Sequence, residues 1–296
     1  MIFRQLVLDS VNRAVSTIDG AAGKAVNVAK VLKALGEEPL VTGFLGGDRG
    51  EEIRKILDSK AVGHEFINVP ARTRLCTTLL DQAAGTQTEL VEESQAVADE
   101  DYEKLRAIVS RRVVGCRAAV ISGTLTPGGP VSFYFECVRK AHAAGALSVV
   151  DAQGAAVMEA LKARPGLVKP NRAELAATVG RALPNEGDVL RAMRELCERG
   201  AQRIIITAGK EPALAYDGKS FWRIHSPRIQ AVNPIGSGDS FTAGLVWRLL
   251  KGESLGEACR WGAASGAANA LSLMAGEVEL DEVEKLVNLC TAEQIE

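Results

Sequence analysis

Histidines and paired cysteines are what this chain has least of. Only three histidines occur, and the six cysteines (Cys76, Cys116, Cys137, Cys197, Cys259 and Cys290) are dispersed without a C-x-x-C pair. That spacing argues against a structural zinc site and predicts free thiols, as in a reducing compartment. No apolar run reaches membrane-spanning length, and Met1-Ile2-Phe3-Arg4-Gln5 has neither the basic start nor the apolar core of a signal peptide. The expectation is a cytoplasmic protein with no membrane partner. An excess of charge of one sign is also missing: a formal net charge of -2 gives no general attraction to nucleic acid, so any anion must be bound locally. The familiar phosphate motifs are absent too. There is no G-x-x-x-x-G-K-[ST] loop, Gly43-Phe44-Leu45-Gly46-Gly47 lacks the dinucleotide spacing, and protein-kinase signatures do not occur.

What remains is an α/β pattern. A chain of 296 residues that is 47% hydrophobic fits one domain, residues 1–296, built around a substantial core with a small appendage. From Arg117 onward, apolar runs (Ala118–Ile121, Leu147–Val150, Gly166–Val168, Arg203–Thr207) alternate with helical patterns near Val131–Ala144, Ala155–Ala163, Arg172–Val179 and Glu186–Glu198. Strand and helix in turn predict a parallel sheet, whose ligands bind beyond the strand C-terminal ends. Ser122-Gly123, Asp151, Lys169–Asn171 and Thr207–Gly209 all fall there. Asp217-Gly218 between Ala213–Tyr216 and Ser220–Ile224 predicts a hairpin. Nearer the start, Val28, Val31, Leu32 and Leu35 share a helical face closed by Gly36, whereas Leu6–Leu8, Ala71–Asp81 and Thr86–Val91 read as extended.

The segment that carries chemistry is Asn233-Pro234-Ile235-Gly236-Ser237-Gly238-Asp239-Ser240-Phe241-Thr242-Ala243-Gly244, a turn running into a helix on which Phe241, Leu245 and Leu249 recur. Gly236 and Gly238 let the backbone approach an anion, and the first amides of a helix are unpaired donors reinforced by its dipole. A transferring phosphoryl group needs such donors and a group that orients the attacking hydroxyl. Asp239 would repel a phosphate unless it accepts the proton of that hydroxyl. The plain alternative is an aspartate capping a helix after a glycine-rich loop.

This string resembles the signature of the ribokinase-like, or PfkB, family of carbohydrate kinases. Further motifs of that family appear in order: Gly23-Lys24-Ala25-Val26-Asn27-Val28-Ala29, Thr73-Arg74, Thr88-Glu89, Ser122-Gly123-Thr124-Leu125-Thr126-Pro127-Gly128, Lys169-Pro170-Asn171 with Glu174, and Thr207-Ala208-Gly209. Ile229-Gln230-Ala231 and Arg260–Ala270 resemble the branch containing tagatose-6-phosphate kinase and 1-phosphofructokinase. The resemblance implies a mostly parallel sheet flanked by helices, with a small β-sheet lid from segments near 4–19 and 71–92. It implies ATP-dependent phosphorylation of a ketohexose phosphate, tagatose 6-phosphate or fructose 1-phosphate, to a bisphosphate. Asp239 would be the general base, with Gly236, Ser237 and Gly238 around the transferring phosphate. Gly23, Lys24, Asn27, Arg74 and Ser122 would line the substrate site, Lys24 and Arg74 holding the substrate's own phosphate. Lys169, Thr207, Gly209 and Asn269 would face the nucleotide. Asn171 and Glu174 would organise Mg2+ through its waters, although the same N-x-x-E spacing also makes a capping pattern. A homodimer through the lid stays open, as do two rival functions: a kinase of an unphosphorylated sugar or nucleoside, and a non-catalytic sugar-phosphate sensor.

The chain departs from the family pattern at the front. Members begin with a strand and a short motif ending in a sugar-gripping aspartate, placed before the stretch matching Val11-Asn12-Arg13-Ala14, and here only ten residues precede Val11. The resemblance implies either a strand lying upstream of Met1 or a lost sugar contact, Asp9 being poorly placed to substitute. A missing central strand would leave a sheet edge exposed. Ala22 and Ala25 stand where relatives carry glycine, and two extra methyls would crowd the sugar pocket.

Overall fold

A computed structural model describes residues 1–295. The first part of the chain forms β1 (Ile2–Phe3), α1 (Lys24–Ala34), β2 (Leu40–Leu45), α2 (Gly47–Ser59), β3 (Gly63–Asn68), β4 (Cys76–Asp81), β5 (Thr86–Val91) and α3 (Asp99–Arg112). The rest supplies β6 (Ala118–Ser122), α4 (Phe133–Ala143), β7 (Leu147–Asp151), α5 (Ala155–Leu161), β8 (Leu167–Val168), α6 (Arg172–Val179), α7 (Glu186–Glu198), β9 (Ile204–Ala208), β10 (Glu211–Tyr216), β11 (Phe221–His225), α8 (Ser237–Leu249), α9 (Leu255–Leu271), α10 (Leu280–Val287) and β12 (Thr291–Ile295).

The large sheet has the order β12-β11-β10-β9-β8-β7-β6. Neighbours from β6 to β9 are parallel, and those from β9 to β12 are antiparallel. The sheet is therefore more mixed than the strand–helix alternation predicts. The cause is two tight connections: Gly209 at φ +64 and Gly218 at φ +90 reverse the chain without a crossover helix. Its centre is buried on both faces. On β9, Ile205 enters the cluster with α1, α8 and α9, while Ile204 and Ile206 enter the cluster with α4, α5 and α7. Each such isoleucine contributes roughly 1.5–3 kcal/mol of burial.

Helices α8 and α9 cross at unusually close range. A Cβ on Gly244 would lie 2.3 Å from Ser265 Oγ and 2.7 Å from the Trp261 carbonyl oxygen, so only glycine lets the two backbones meet. The small residues of both helices serve this approach, and it fixes the start of α8 relative to the sheet.

Strands β1, β4 and β5 form a separate small sheet, with β1 parallel to β4 and β4 antiparallel to β5. The extended segment expected at Leu6–Leu8 is instead irregular and runs into a turn at Leu8-Asp9. Local side-chain bonds displace strand pairing there. Asn12 receives the Val7 amide on Oδ1 at 2.9 Å and donates from Nδ2 to the Val7 carbonyl at 2.8 Å, while the Leu6 amide donates to Asp81 Oδ2. Strands β2 and β3 make a parallel pair outside the large sheet, whose edge is β6. Helix α1 packs against both β2 and β6. Backbone pairing is thus interrupted between two strands covered by the same helix.

Candidate active site

The turn before α8 is held by its own backbone and by α9. Gly236 has φ +83, a left-handed conformation, and a Cβ there would lie 2.8 Å from Ala275 Cβ. The Ser237 amide donates to the Pro234 carbonyl and the Ser240 amide to the Gly236 carbonyl. The amides of Gly238 and Asp239 are left as free donors at the first turn of a thirteen-residue helix. Lys169 stands beside them: a Cβ on Gly238 would lie 3.9 Å from its Nζ. Two amides, a helix dipole and an ammonium form an anion pocket.

Asp239 is 7% exposed, and Asn27 Nδ2 donates to its Oδ2 at 2.7 Å. Burial pushes the Asp239 carboxyl up to about 6, helped by the negative Asp151 and opposed by the Asn27 bond and the Lys169 and Lys24 ammoniums. At neutral pH the group is ionised yet basic enough to take a proton. Asn27 itself is buried, and its Oδ1 has no partner among the described residues. Ser122, at the end of β6, likewise has an unpartnered Oγ. Buried polar atoms of this kind are completed by a water or a ligand.

Asp151, closing β7 and 1% exposed, organises the remaining charges. It accepts from Lys24 Nζ at 3.1 Å and from Thr242 Oγ1 at 2.9 Å, and lies 3.1 Å from Lys169 Nζ. Burial alone would raise its pKa, but the two ammoniums outweigh that and hold it below the usual carboxylate range. Lys24 also donates to Glu174 Oε1 at 2.9 Å. Its desolvation favours loss of the proton, yet Asp151 and Glu174 keep the proton on.

The expected site residues separate into groups. Gly23 caps α1 at φ +130 and starts the turn that carries Lys24 and Asn27, and these two, with Lys169, Glu174, Asp239 and the Gly236–Gly238 turn, form one connected cluster. Lys24 points into the carboxylates of that cluster. Arg74 is exposed on the lid and makes no ion pair among the described residues. Asn171 and Glu174 form a reciprocal capping box: Asn171 Oδ1 receives the Glu174 amide at 2.9 Å, and Glu174 Oε2 receives the Asn171 amide at 2.8 Å. Thr207 bridges to Asn171, and Gly209 turns the chain at the end of β9. Asn269 is fully buried, its Nδ2 donating to Ile235 O and Ser237 Oγ and its Oδ1 receiving the Gly276 amide, so its side chain braces the turn before α8 and the loop after α9. A small-residue helix hides its asparagine in the core, and spacing alone gave no sign of that.

Asp151 and Thr242 are the residues that motif reading passed over as chemistry. An acidic residue ending the apolar run Leu147–Val150 was the available signal for the first. For Thr242 there was none, since one turn after Asp239 reads as ordinary helix.

A magnesium ion fits this donor set as a hydrated ion shared with substrate phosphates, not as one caged by the protein. Among the described residues no three His, Cys, Asp or Glu side chains converge to bind a metal directly, and Lys24 already bridges Asp151 and Glu174. Such an ion keeps most of its hydration and leans on substrate phosphates.

The model for the pfkB family of carbohydrate kinases matches residues 3–281. A tagatose-6-phosphate kinase of Staphylococcus epidermidis is 30% identical over 285 residues, covering 95% of this chain and 91% of that protein. Phosphofructokinase-2 of Escherichia coli, solved in complex with potassium, superposes with a TM-score of 0.88 at 27% identity, covering 97% of this chain and 93% of the other. A possible 1-phosphofructokinase of Thermotoga maritima superposes with a TM-score of 0.92 over 100% of this chain and 95% of its own, and at 23% identity it speaks for the fold alone. With nearly the whole length matched, this chain belongs to the pfkB family of carbohydrate kinases.

Proposed function

We propose that the chain transfers the terminal phosphoryl group of ATP to a hydroxyl of a ketohexose phosphate, either tagatose 6-phosphate or fructose 1-phosphate, giving a bisphosphate. The observation that carries this reading is a buried carboxylate, Asp239, at the mouth of an anion pocket built from the Gly238 and Asp239 amides and Lys169. Asp239, oriented by Asn27, takes the proton from the sugar hydroxyl as its oxygen attacks. The free amides and Lys169 hold the equatorial oxygens of the phosphoryl group, whose charge is greatest in transit. Asn27 Oδ1 and Ser122 Oγ, both without a partner among the described residues, would meet sugar hydroxyls. Arg74, an unpaired fork on the lid, takes the phosphate that the sugar already carries, while Lys24, tied to Asp151 and Glu174, serves the transferring end. Magnesium, when bound with the nucleotide, neutralises charge on the phosphates, and Glu174, Asn171 and Asp151 are the groups that would hold its waters. The lid excludes water as a competing acceptor.

A homodimer through the lid belongs to the same reading. Leu8 (95% exposed), Val11 (84%), Leu75 and Leu90 stand exposed on β5 and on the segments after β1 and before β4, apolar surface that a second copy would cover. Sedimentation of the protein with Leu90→Glu beside the unaltered chain checks it, a loss of the dimer being expected.

The test of function is ATP turnover with Mg2+ over a panel of tagatose 6-phosphate, fructose 1-phosphate and the corresponding free sugars. Turnover with one of the two phosphosugars and little with free sugars is expected. Equal turnover with free sugars, or none with any, overturns the assignment.

A further inference from the structure

Lys30 is the one lysine buried in the interior of α1, 5% exposed, one turn beyond Asn27. Its ammonium donates to two backbone carbonyls, Ala21 O at 3.0 Å and Ala275 O at 2.6 Å. Neither acceptor is charged, which is costly for a buried cation unless the geometry it enforces is worth the desolvation. The two carbonyls lie in the two loops that frame the candidate site. Ala21 is in the approach to Gly23, Lys24 and Asn27, and Ala275 is in the loop between α9 and α10.

That second loop is wedged between Asn27 and the turn before α8. A Cβ on Gly276 would lie 2.8 Å from Asn27 Cα, and a Cβ on Gly236 would lie 3.2 Å from Ala275 Cα. The Gly276 amide donates to Asn269 Oδ1 at 2.7 Å, and Asn269 in turn holds Ile235 and Ser237. Asn233 Nδ2 donates to the Leu273 carbonyl at 2.8 Å. Every displacement of Ala275 therefore reaches both partners of the Asn27–Asp239 hydrogen bond.

We infer that Lys30 is a positioning residue for phosphoryl transfer: its charged tether to Ala21 and Ala275 sets the wedge that holds Asn27 and the Gly236–Asp239 turn in register. The inference rests on the Asp239-centred reading of the site. The charges facing Lys30 from other elements are Glu277, at the end of the wedge loop, and Lys60, after α2, which pair with each other at 2.9 Å. Burial lowers the Lys30 pKa to about 8, with Glu277 opposing and Lys60 adding to the shift. The tether thus weakens in mildly alkaline solution, as a neutral amine donates more weakly to a carbonyl than an ammonium does.

The experiment compares the unaltered enzyme with Lys30→Met and Lys30→Arg. Steady-state kinetics from pH 6.5 to 9.5 are paired with hydrogen exchange of the segment 270–277. For Lys30→Met the expectation is a fall in kcat of about 30-fold with sugar-phosphate KM changed less than about threefold, since a misplacement near 1 Å costs rate rather than binding. Exchange in 270–277 should quicken at least tenfold. Lys30→Arg keeps its charge across the range, so it should retain turnover within about fivefold and lose the alkaline decline in kcat centred near pH 8. A folded Lys30→Met enzyme with kcat and exchange unchanged overturns the inference, as does an alkaline decline that persists in Lys30→Arg. Should Lys30→Met not fold, the Lys30→Arg profile still decides. Exchange reads the tether without reference to turnover, so an inactive unaltered enzyme would count against the proposed function while leaving the tether open to measurement.

Discussion

Asn27 Nδ2 lies 2.7 Å from Asp239 Oδ2, joining two residues 212 positions apart and fixing the carboxylate that the site needs. The bond favours the ionised form of Asp239, while burial and the nearby Asp151 favour the protonated one. With the carboxyl at about 6, kcat/KM should fall as pH drops below that value, because the base becomes protonated. Asn27→Ala removes the bond and should move this acid limb upward. A pH–rate profile of both proteins checks the direction.

Asp239→Asn should keep the shape of the site and lose turnover by about 10²–10⁴-fold. It should also be the more stable protein. The folded pKa of Asp239, about 6, lies above its unfolded value of 3.8, so the native state holds a proton that the unfolded chain has released. Stability therefore declines as pH rises from about 4 through 6, and at neutral pH the buried charge costs up to about 3 kcal/mol. Calorimetry at pH 7.5 should show a higher Tm for Asp239→Asn, and the gain should shrink near pH 4.5.

Asp151→Ala leaves the buried Lys169 without its ion-pair partner and leaves Lys24 with Glu174 alone. A loss of about 3–5 kcal/mol is expected from breaking such a buried cluster on one side. Urea unfolding measures it, and a loss below about 1 kcal/mol would mean that the cluster is not the electrostatic centre described.

Arg74→Ala should raise KM for a phosphosugar by tenfold or more while leaving KM for ATP unchanged, since Arg74 stands before β4 of the small sheet whereas Lys169 follows β8 of the large one. An unchanged phosphosugar KM would favour an unphosphorylated acceptor.

Gly236→Ala should cost most of the activity by a different route. The residue has φ +83, and the new methyl would meet Ala275 Cβ at 2.8 Å. Both effects push the turn away from Asn269 and Asp239, so kcat should fall further than substrate binding, as isothermal titration beside kinetics would show.

Much of the fold was legible because the apolar periodicity of α7 and the β-branched run of β9 are dictated by burial, and the structure places both elements within a residue of their expected bounds. The family and the glycine-rich turn were legible for a related reason: backbone approach to an anion restricts the residue type. Less visible was anything decided by tertiary partners. Strand β12 was missed because Thr291–Ile295 has no alternation of its own and is recruited by the open edge of β11. Lys30 looks like any other basic residue until the fold removes water from around it. Asn269 shows the same limit, since its bracing role shows only once it is buried.

The gap in pairing between β2 and β6 has a mechanical consequence. A continuous ladder would make the large sheet and the β2–β3 pair one stiff plate, but among the described residues no strand pairing joins the two. Load passes through side chains on the helices that span the seam, α1 foremost among them, and α1 carries Lys24, Asn27 and Lys30. Any tilt of β2–β3 relative to the main body is thereby delivered to the residues that grip Asp239 and the wedge loop.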